Sequence, residues 1–290
     1  LTSEYADDTG VPFVSRAVAV EQTPLLMIHF GRWGMEVHAG EPGKVSKSEL
    51  LFCPKPLHMY SDPKTFDGAD LSDVQLPGGR SMPVVDKFPY LGDIIARDGG
   101  DALAVDARLA SASKAFGALR GCVFSSTSVC PAAKRAVYEG IVLSIALYGC
   151  ECWCLTEPLL ERLRVFHAQC LRAMCRVTRV HTWRFHISTQ ELGQRLGIDM
   201  IDMYVARRQL RWLGHVARMD FDRLPRRLLS SWVAAPRPPG APRMTYGRTM
   251  LKALDKFSIA HGTWPQLAAD RPAWRRTLQQ GWTPKPFRQP

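Results

Sequence analysis

Ala102-Leu-Ala-Val-Asp-Ala-Arg-Leu-Ala-Ser-Ala-Ser-Lys-Ala-Phe-Gly-Ala-Leu119 is where the chain changes character. Val105, Leu109, Ala112, Phe116 and Leu119 recur at intervals of four, three, four and three, which traces one face of a helix. Before this stretch, short apolar runs alternate with turn residues. After it the helical period dominates. The chain therefore reads as α+β, with short strands and a helix first and a mostly helical remainder.

Working upstream, Asp7-Asp-Thr-Gly10 is turn chemistry between two short extended pieces. Residues 16–36 suggest a helix starting near Thr23, ahead of Pro24. Ser48 to Cys53 reads as a strand. Leu76-Pro-Gly-Gly-Arg-Ser81 reads as a hairpin turn leading into Val84, Val85, Phe88, Tyr90 and Leu91. Downstream, Pro131 suits the first turn of a second helix, with Val137, Ile141, Ile145 and Tyr148 as its stripe. A third helix is expected from Glu157 to Arg176, with Leu160, Leu163, His167, Cys170 and Met174 inward. A fourth runs from Ile198 to Met219, where Trp212 shares a face with Val205, Val216 and Met219 and is expected in the core. His215 falls on that face and is expected to pack there too. Ala234-Ala-Pro-Arg-Pro-Pro-Gly-Ala-Pro242 reads as a linker, and a last helical pair spans 245–280.

The chain has 290 residues, 46% hydrophobic and 22% charged, which excludes wholesale disorder and a collagen-like chain. No apolar run reaches the roughly 18 residues of a membrane span. The N-terminal Leu-Thr-Ser-Glu-Tyr is no signal peptide and reads as the start of a piece cut from something longer. Eight cysteines without a secretory signal read as reduced and intracellular.

Charge is uneven. Residues 1–100 carry 9 basic and 14 acidic groups, and residues 101–290 carry 29 and 13. Arginine outnumbers lysine 28 to 10. An Arg-rich second part points to a polyanion partner, because the planar guanidinium donates paired hydrogen bonds to phosphate. A solvated basic surface with no specific partner is the alternative.

Asp7 and Asp8 are adjacent carboxylates, of the kind that hold divalent cations for phosphoryl transfer. Tyr5-Ala-Asp-Asp8 resembles the catalytic box of reverse transcriptases, and the segments downstream of it are similar, in order, to non-LTR (LINE-type) retrotransposon polymerases. Ser46-Lys-Ser-Glu-Leu-Leu-Phe52 resembles the lysine-bearing palm strand. Phe88-Pro-Tyr-Leu-Gly-Asp-Ile-Ile95 resembles the primer grip. Tyr148-Gly-Cys-Glu-Cys-Trp153 resembles a segment of the thumb region. Arg211-Trp-Leu-Gly-His-Val-Ala-Arg-Met219, Arg223-Leu-Pro-Arg226 and Ala269-Asp-Arg-Pro-Ala-Trp274 resemble the C-terminal signatures.

The resemblance implies a partial palm over 1–100, thumb-like helices over 101–156, an Arg-rich helical domain over 157–233, and a linker with terminal helices over 234–290. It implies RNA-directed DNA synthesis in the intact parent, with an RNA template and a DNA primer in the nucleus and no membrane partner. Asp7 and Asp8 would hold Mg²⁺, and Lys47 would protonate departing pyrophosphate unless it is only a solvated strand lysine. Phe88, Tyr90, Leu91 and Gly92 would form the primer grip. Arg207, Arg208, Arg211, Arg218, Arg226 and Arg227 would contact nucleic acid. The further palm Asp and the fingers that such a site needs are not in these 290 residues. The alternative is a catalytically dead nucleic-acid-binding remnant.

Cys170, Cys175, His181 and His186 raise a zinc question. On one continuous helix Cys170 and Cys175 point roughly 140° apart, so they share a metal only if the helix ends near Met174. Buried cysteines with a loop histidine pair are the preferred reading. Cys150, Cys152 and Cys154 alternate and would share a face of an extended segment.

Overall fold

The computed structural model describes residues 3–5 (as backbone), 8–40, 46–53, 70–230 and 245–281. The chain divides into two compact units, Leu1–Leu103 and Ala104–Pro290. It is α+β and mostly helical. No helix among the described residues is long and apolar enough to cross a membrane. The Pro-rich 234–242 stretch lies outside the described residues.

The first unit is built from two-stranded ladders and one helix. β1 (Ser3–Tyr5) and β2 (Asp8–Gly10) form an antiparallel hairpin. Helix α1 spans Arg16–Gly31, well before Thr23, because Ser15 caps it: its hydroxyl accepts the Val18 N–H at 3.3 Å. Pro24 sits inside α1. β3 is only Leu50–Leu51, shorter than the strand expected from 48 to 53, and pairs in parallel with β6 (Val84–Val85). β4 (Val74–Leu76) and β5 (Arg80–Met82) are the expected hairpin, with Gly78 and Gly79 both at positive φ. β7 (Lys87–Tyr90) and β8 (Asp93–Ala96) form a second hairpin. Ala39, Val74, Leu76 and Met82 make this unit's small core.

The helical unit takes in α2 (Ala102–Leu119), α3 (Pro131–Val137), α4 (Leu143–Ala146) and α5 (Glu157–Met174). It continues through α6 (Arg179–Arg184), α7 (Thr189–Leu196), α8 (Ile201–Ala217) and α9 (Leu224–Ser230). It closes with α10 (Tyr246–Lys256), α11 (Trp264–Ala269) and α12 (Arg271–Gln280), three helices where the sequence suggests two. On α2, Val105, Ala112 and Phe116 are buried as expected. The stripe of the second helix is not. Ile141 and Tyr148 are exposed, while Tyr138, Val142, Ala146 and Cys150 are buried. The cause is a π turn at Tyr138–Val142 between α3 and α4.

Tyr138, Phe116 and Phe124 form an aromatic cluster, with the two Phe rings stacked at 4.4 Å. Behind it the Tyr138 hydroxyl and His167 Nδ1 are hydrogen-bonded at 2.9 Å. Burial pushes the His167 imidazole down to about 4, against the opposing pull of Asp199 and Asp202. A base whose folded pKa is depressed stabilises the fold above its unfolded value and loses that contribution as pH falls through the folded one. The window here runs from about 6.5 down to about 4. His167→Gln, which keeps an acceptor for Tyr138, should flatten the loss of stability across that window, measured by urea unfolding at each pH.

α8 is the spine of the unit. Met203, Ala206, Leu210 and Leu213 face Met250, Leu254, Phe257, Trp274 and Leu278. Of the expected face Val205 and Val216 are buried, but Trp212 is half-buried and His215 is exposed, its ring 5.4 Å from the Trp212 ring, while Leu213 and Gly214 are inside. The Trp274 indole N–H donates to the Leu210 carbonyl at 3.0 Å. A Cβ added at Gly214 would stand 2.2 Å from Trp274 Nε1, so only glycine lets the indole lie on α8. Gly214→Ala should destabilise the helical unit by about 1–3 kcal/mol through overpacking, read as a lower denaturation midpoint. Unchanged stability would show that α12 is not seated on α8.

Candidate nucleic-acid interface

The β1–β2 hairpin carries the first candidate residues. Asp8 opens β2 opposite Tyr5 and is exposed, while Asp7 lies outside the described residues. Lys47 is exposed in a bend and not in β3. Its backbone N–H donates to His38 Nδ1 at 3.2 Å, and the neighbouring Ser46 hydroxyl donates to the Ser48 carbonyl at 2.6 Å. Among the described residues nothing joins Lys47 to Asp8, and no three His, Cys, Asp or Glu side chains gather as metal ligands.

The primer-grip residues do come together. Phe88 and Tyr90 are two apart on β7 and therefore on one face, with their rings stacked at 6.2 Å. Leu91 (φ 48) and Gly92 (φ 78) form the turn, with both central residues left-handed as a type I′ hairpin demands. Leucine carries a Cβ and is strained there, at about 1–2 kcal/mol. Leu91→Asn should raise the thermal stability of the first unit by about 1 kcal/mol, since Asn tolerates this region. A lower melting temperature would mean that the Leu91 side chain is needed for packing.

The Tyr148–Trp153 segment is an irregular turn, not an extended strand. Gly149 has φ 77, Cys150 and Trp153 are buried, and Cys152 is exposed, so the cysteines do not share a face. α8 fastens this turn. The buried Gln209 amide donates to the Cys150 and Trp153 carbonyls, each at 3.2 Å, and Arg208 donates to the Leu147 carbonyl at 3.1 Å. The Arg108 guanidinium lies 4.1 Å over the Tyr148 ring.

The six arginines singled out in the sequence therefore divide. Arg208 holds the turn. Arg207 pairs with Asp199 at 3.5 Å, and Arg218 donates to the Ala268 carbonyl at 2.6 Å. Arg211 and Arg227 are exposed, and Arg226 lies 5.5 Å over Phe221. Elsewhere Arg162 grips Asp106 with two bonds of 2.8 and 2.9 Å, Arg135 pairs with Glu139 of the π turn after α3, and Arg195 pairs with Glu191 on α7. Among the described residues no carboxylate pairs with Arg120, Arg172, Arg176 or Arg179. These four are not among the arginines picked out by motif, although for Arg172, Arg176 and Arg179 a signal is there: no acidic residue stands between Glu161 and Glu191.

The zinc quartet does not converge. α5 does end at Met174, with Cys175 as its C-cap, but Cys170 is buried and the Cys175 thiol donates to the Leu192 carbonyl at 3.8 Å. Burial pushes the Cys170 thiol up to about 12, away from the thiolate a metal takes. His181 Nδ1 is 2.6 Å from the Thr178 hydroxyl, and His186 has φ 51 just past α6.

Over 261 residues the chain is 25% identical to an uncharacterized transposon-derived protein of Caenorhabditis elegans, covering 86% of this chain and 85% of that protein. No family model matches the chain. No solved structure matches it. The likeness points to a transposon origin.

Proposed function

We propose that the chain is the C-terminal part of an RNA-directed DNA polymerase of a non-LTR retrotransposon, whose helical unit holds nucleic acid through its phosphates. The observation that carries this reading is order. The segments resembling palm box, palm lysine, primer grip, thumb and C-terminal signatures succeed one another along the chain. The likeness to a transposon-derived protein over most of both chains supports it.

Asp7 and Asp8 offer hard carboxylate oxygens, the donors that Mg²⁺ takes. Bound there in an intact parent, Mg²⁺ supplies acidification of the primer hydroxyl and charge stabilisation at the leaving oxygen. Lys47 gives its ammonium proton to the departing pyrophosphate. The stacked Phe88 and Tyr90 pair seats the primer, on a hairpin stiffened by its two-residue turn. Arg211, Arg226 and Arg227 contact phosphates along α8 and α9.

Two measurements test this. Residues 157–290 carry 24 basic and 9 acidic groups. The full chain should bind RNA and DNA with little sequence preference. Log affinity should fall against log salt by about 0.9 per duplex phosphate contacted. Arg211→Gln, Arg226→Gln and Arg227→Gln together should reduce that slope by up to about three contacts' worth, uniformly across sequences. A flat salt response in the unaltered chain would sink the reading. In a polymerase-competent parent, Asp7→Asn or Asp8→Asn should lower the rate far more than affinity, and Lys47→Ala should cost about 10²–10⁴-fold. Equal loss of binding in the Asp variants would make the pair a structural turn. Salt-dependent binding with no synthesis in the restored parent would mark the chain as a binding remnant.

A further inference from the structure

α2 ends in a π turn, Arg120–Phe124, that folds Phe124 back onto Phe116. The turn leaves Arg120 on the rim of a groove of about 600 Å³ between the C-terminal ends of α2 and α5. Phe116 and Phe166 line it, and Arg172 and Arg176 stand with Arg120 as its cations. No carboxylate lines it, and among the described residues none pairs with these three guanidiniums. Ser113, Ser125 and Gln169 add hydroxyl and amide groups that can donate to an anion.

The chain leaves the groove at Val177 and Thr178 and enters α6 directly. α6 and the residue after it are unusual for a soluble surface: Trp183 is 80% exposed and Phe185 60%. Phe185 is already stacked on the His181 ring at 6.1 Å with the Arg184 guanidinium 5.8 Å from its centroid, which leaves Trp183 as the open ring, with Arg179 and Arg184 near it in sequence. Trp183 is five residues beyond Thr178, about 8 Å along a helix axis, so one short strand can span groove and aromatic face.

We propose that this groove and α6 together bind single-stranded nucleic acid, with Arg120, Arg172 and Arg176 on successive phosphodiesters and an unpaired base stacked on Trp183. The inference rests on the nucleic-acid reading above and narrows it to an unpaired strand at a named place. Unpaired matters, because a duplex keeps its base faces inside its own stack and offers none to an exposed indole. An acidic peptide would satisfy the arginines but would leave the exposed Trp183 ring unused.

Gly117 provides a test that leaves charge alone. It lines the groove on the helical α2, and a Cβ added there meets nothing within 4 Å. Gly117→Leu should therefore fold at least as stably as the parent chain and obstruct the groove. The probes are labelled oligo(dT) and oligo(U) of about 12 nucleotides, within the usual range of single-strand site sizes. Comparing the two separates deoxyribose from ribose strands. Arg120→Gln, Arg172→Gln and Arg176→Gln together should reduce the salt slope by about 2, three contacts at roughly 0.7 each. The charge-matched set Arg271→Gln, Arg275→Gln and Arg276→Gln, exposed on α12, should change it by less than half as much. Trp183→Ala should weaken binding by about 5- to 150-fold with the slope unchanged. Gly117→Leu should weaken binding with the melting temperature kept or raised.

If the unaltered chain binds and the groove variants bind as well as it does, the groove proposal is overturned while the nucleic-acid reading stands. The same holds if the α12 set has the larger effect, or if polyglutamate of equal charge displaces the oligonucleotide as well as unlabelled oligonucleotide does. If the unaltered chain binds neither probe nor duplex, both readings fall.

Discussion

The Asp202 carboxylate fixes how the helical unit is put together. It sits buried in the first turn of α8 and takes two hydrogen bonds from Arg164 of α5, at 2.9 and 2.7 Å, and a third from Lys256 of α10 at 3.2 Å. Burial opposes its ionisation, but the Arg164 hydrogen bonds and the Lys256 charge outweigh that and hold it below the usual carboxylate range. A buried carboxylate stripped of its partners costs about 3–5 kcal/mol. That cost favours one arrangement of the three helices at this point. The placement at a helix N-terminus is also favourable for a negative charge. Once the start of α8 is set, the register of the rest of that helix is set with it. Gln209 and Arg208 meet the Tyr148–Trp153 turn, and Gly214 meets the Trp274 indole.

This assembly also decides which positive charges remain for a partner. A guanidinium already holding a carboxylate or a carbonyl has part of its donor fork occupied and part of its charge neutralised. Arg164, Arg207, Arg208 and Arg218 are in that position, and so is Lys134, whose ammonium lies 3.4 Å from the Met174 carbonyl at the end of α5. Net charge therefore overstates the charge open to an outside anion. The arginines left without a carboxylate at the end of α2 and around the end of α5 carry more of the local field than their number suggests, because no acid stands near them in sequence.

Much of the fold class is legible in the sequence, and the reasons for the departures are specific. The period from Val105 to Leu119 announces a helix because one regular element follows one rule. The stripe through Ile141 and Tyr148 fails because the π turn at Tyr138 changes the residues per turn, which no composition signal marks. Pro24 suggests a late start for α1, whereas the Ser15 hydroxyl caps the helix earlier. α6 and α7 leave little periodic trace because each is short, and each is launched by a side-chain cap, Thr178 and Ser188. The Lys87–Ala96 hairpin is anticipated only through the resemblance of Phe88–Ile95 to a known element, since Leu91 is an unusual residue for its left-handed turn position. The roles of Arg207, Arg208 and Arg218 are not legible, since a surface arginine and a carbonyl-bonded one look alike in a sequence.

The signature segments have a physical reading of their own that separates ancestry from chemistry. The Tyr148–Trp153 turn is held by Gln209 and Arg208, just ahead of Arg211. Gly214, inside the Arg211–Met219 segment, receives Trp274 from the Ala269–Trp274 segment. Two segments quoted for their resemblance thus pack on the helix that carries a third, and each constrains the others. A side chain that fits a notch is restrained by the fold whether or not a reaction is still performed. Such segments can mark transposon origin while saying little about catalysis. Chemistry is better sought in charged groups such as the arginines around the groove at the end of α5, for which no carboxylate partner stands among the described residues. Surface charges of this kind contribute little to stability, so substitutions there report on function more than on folding.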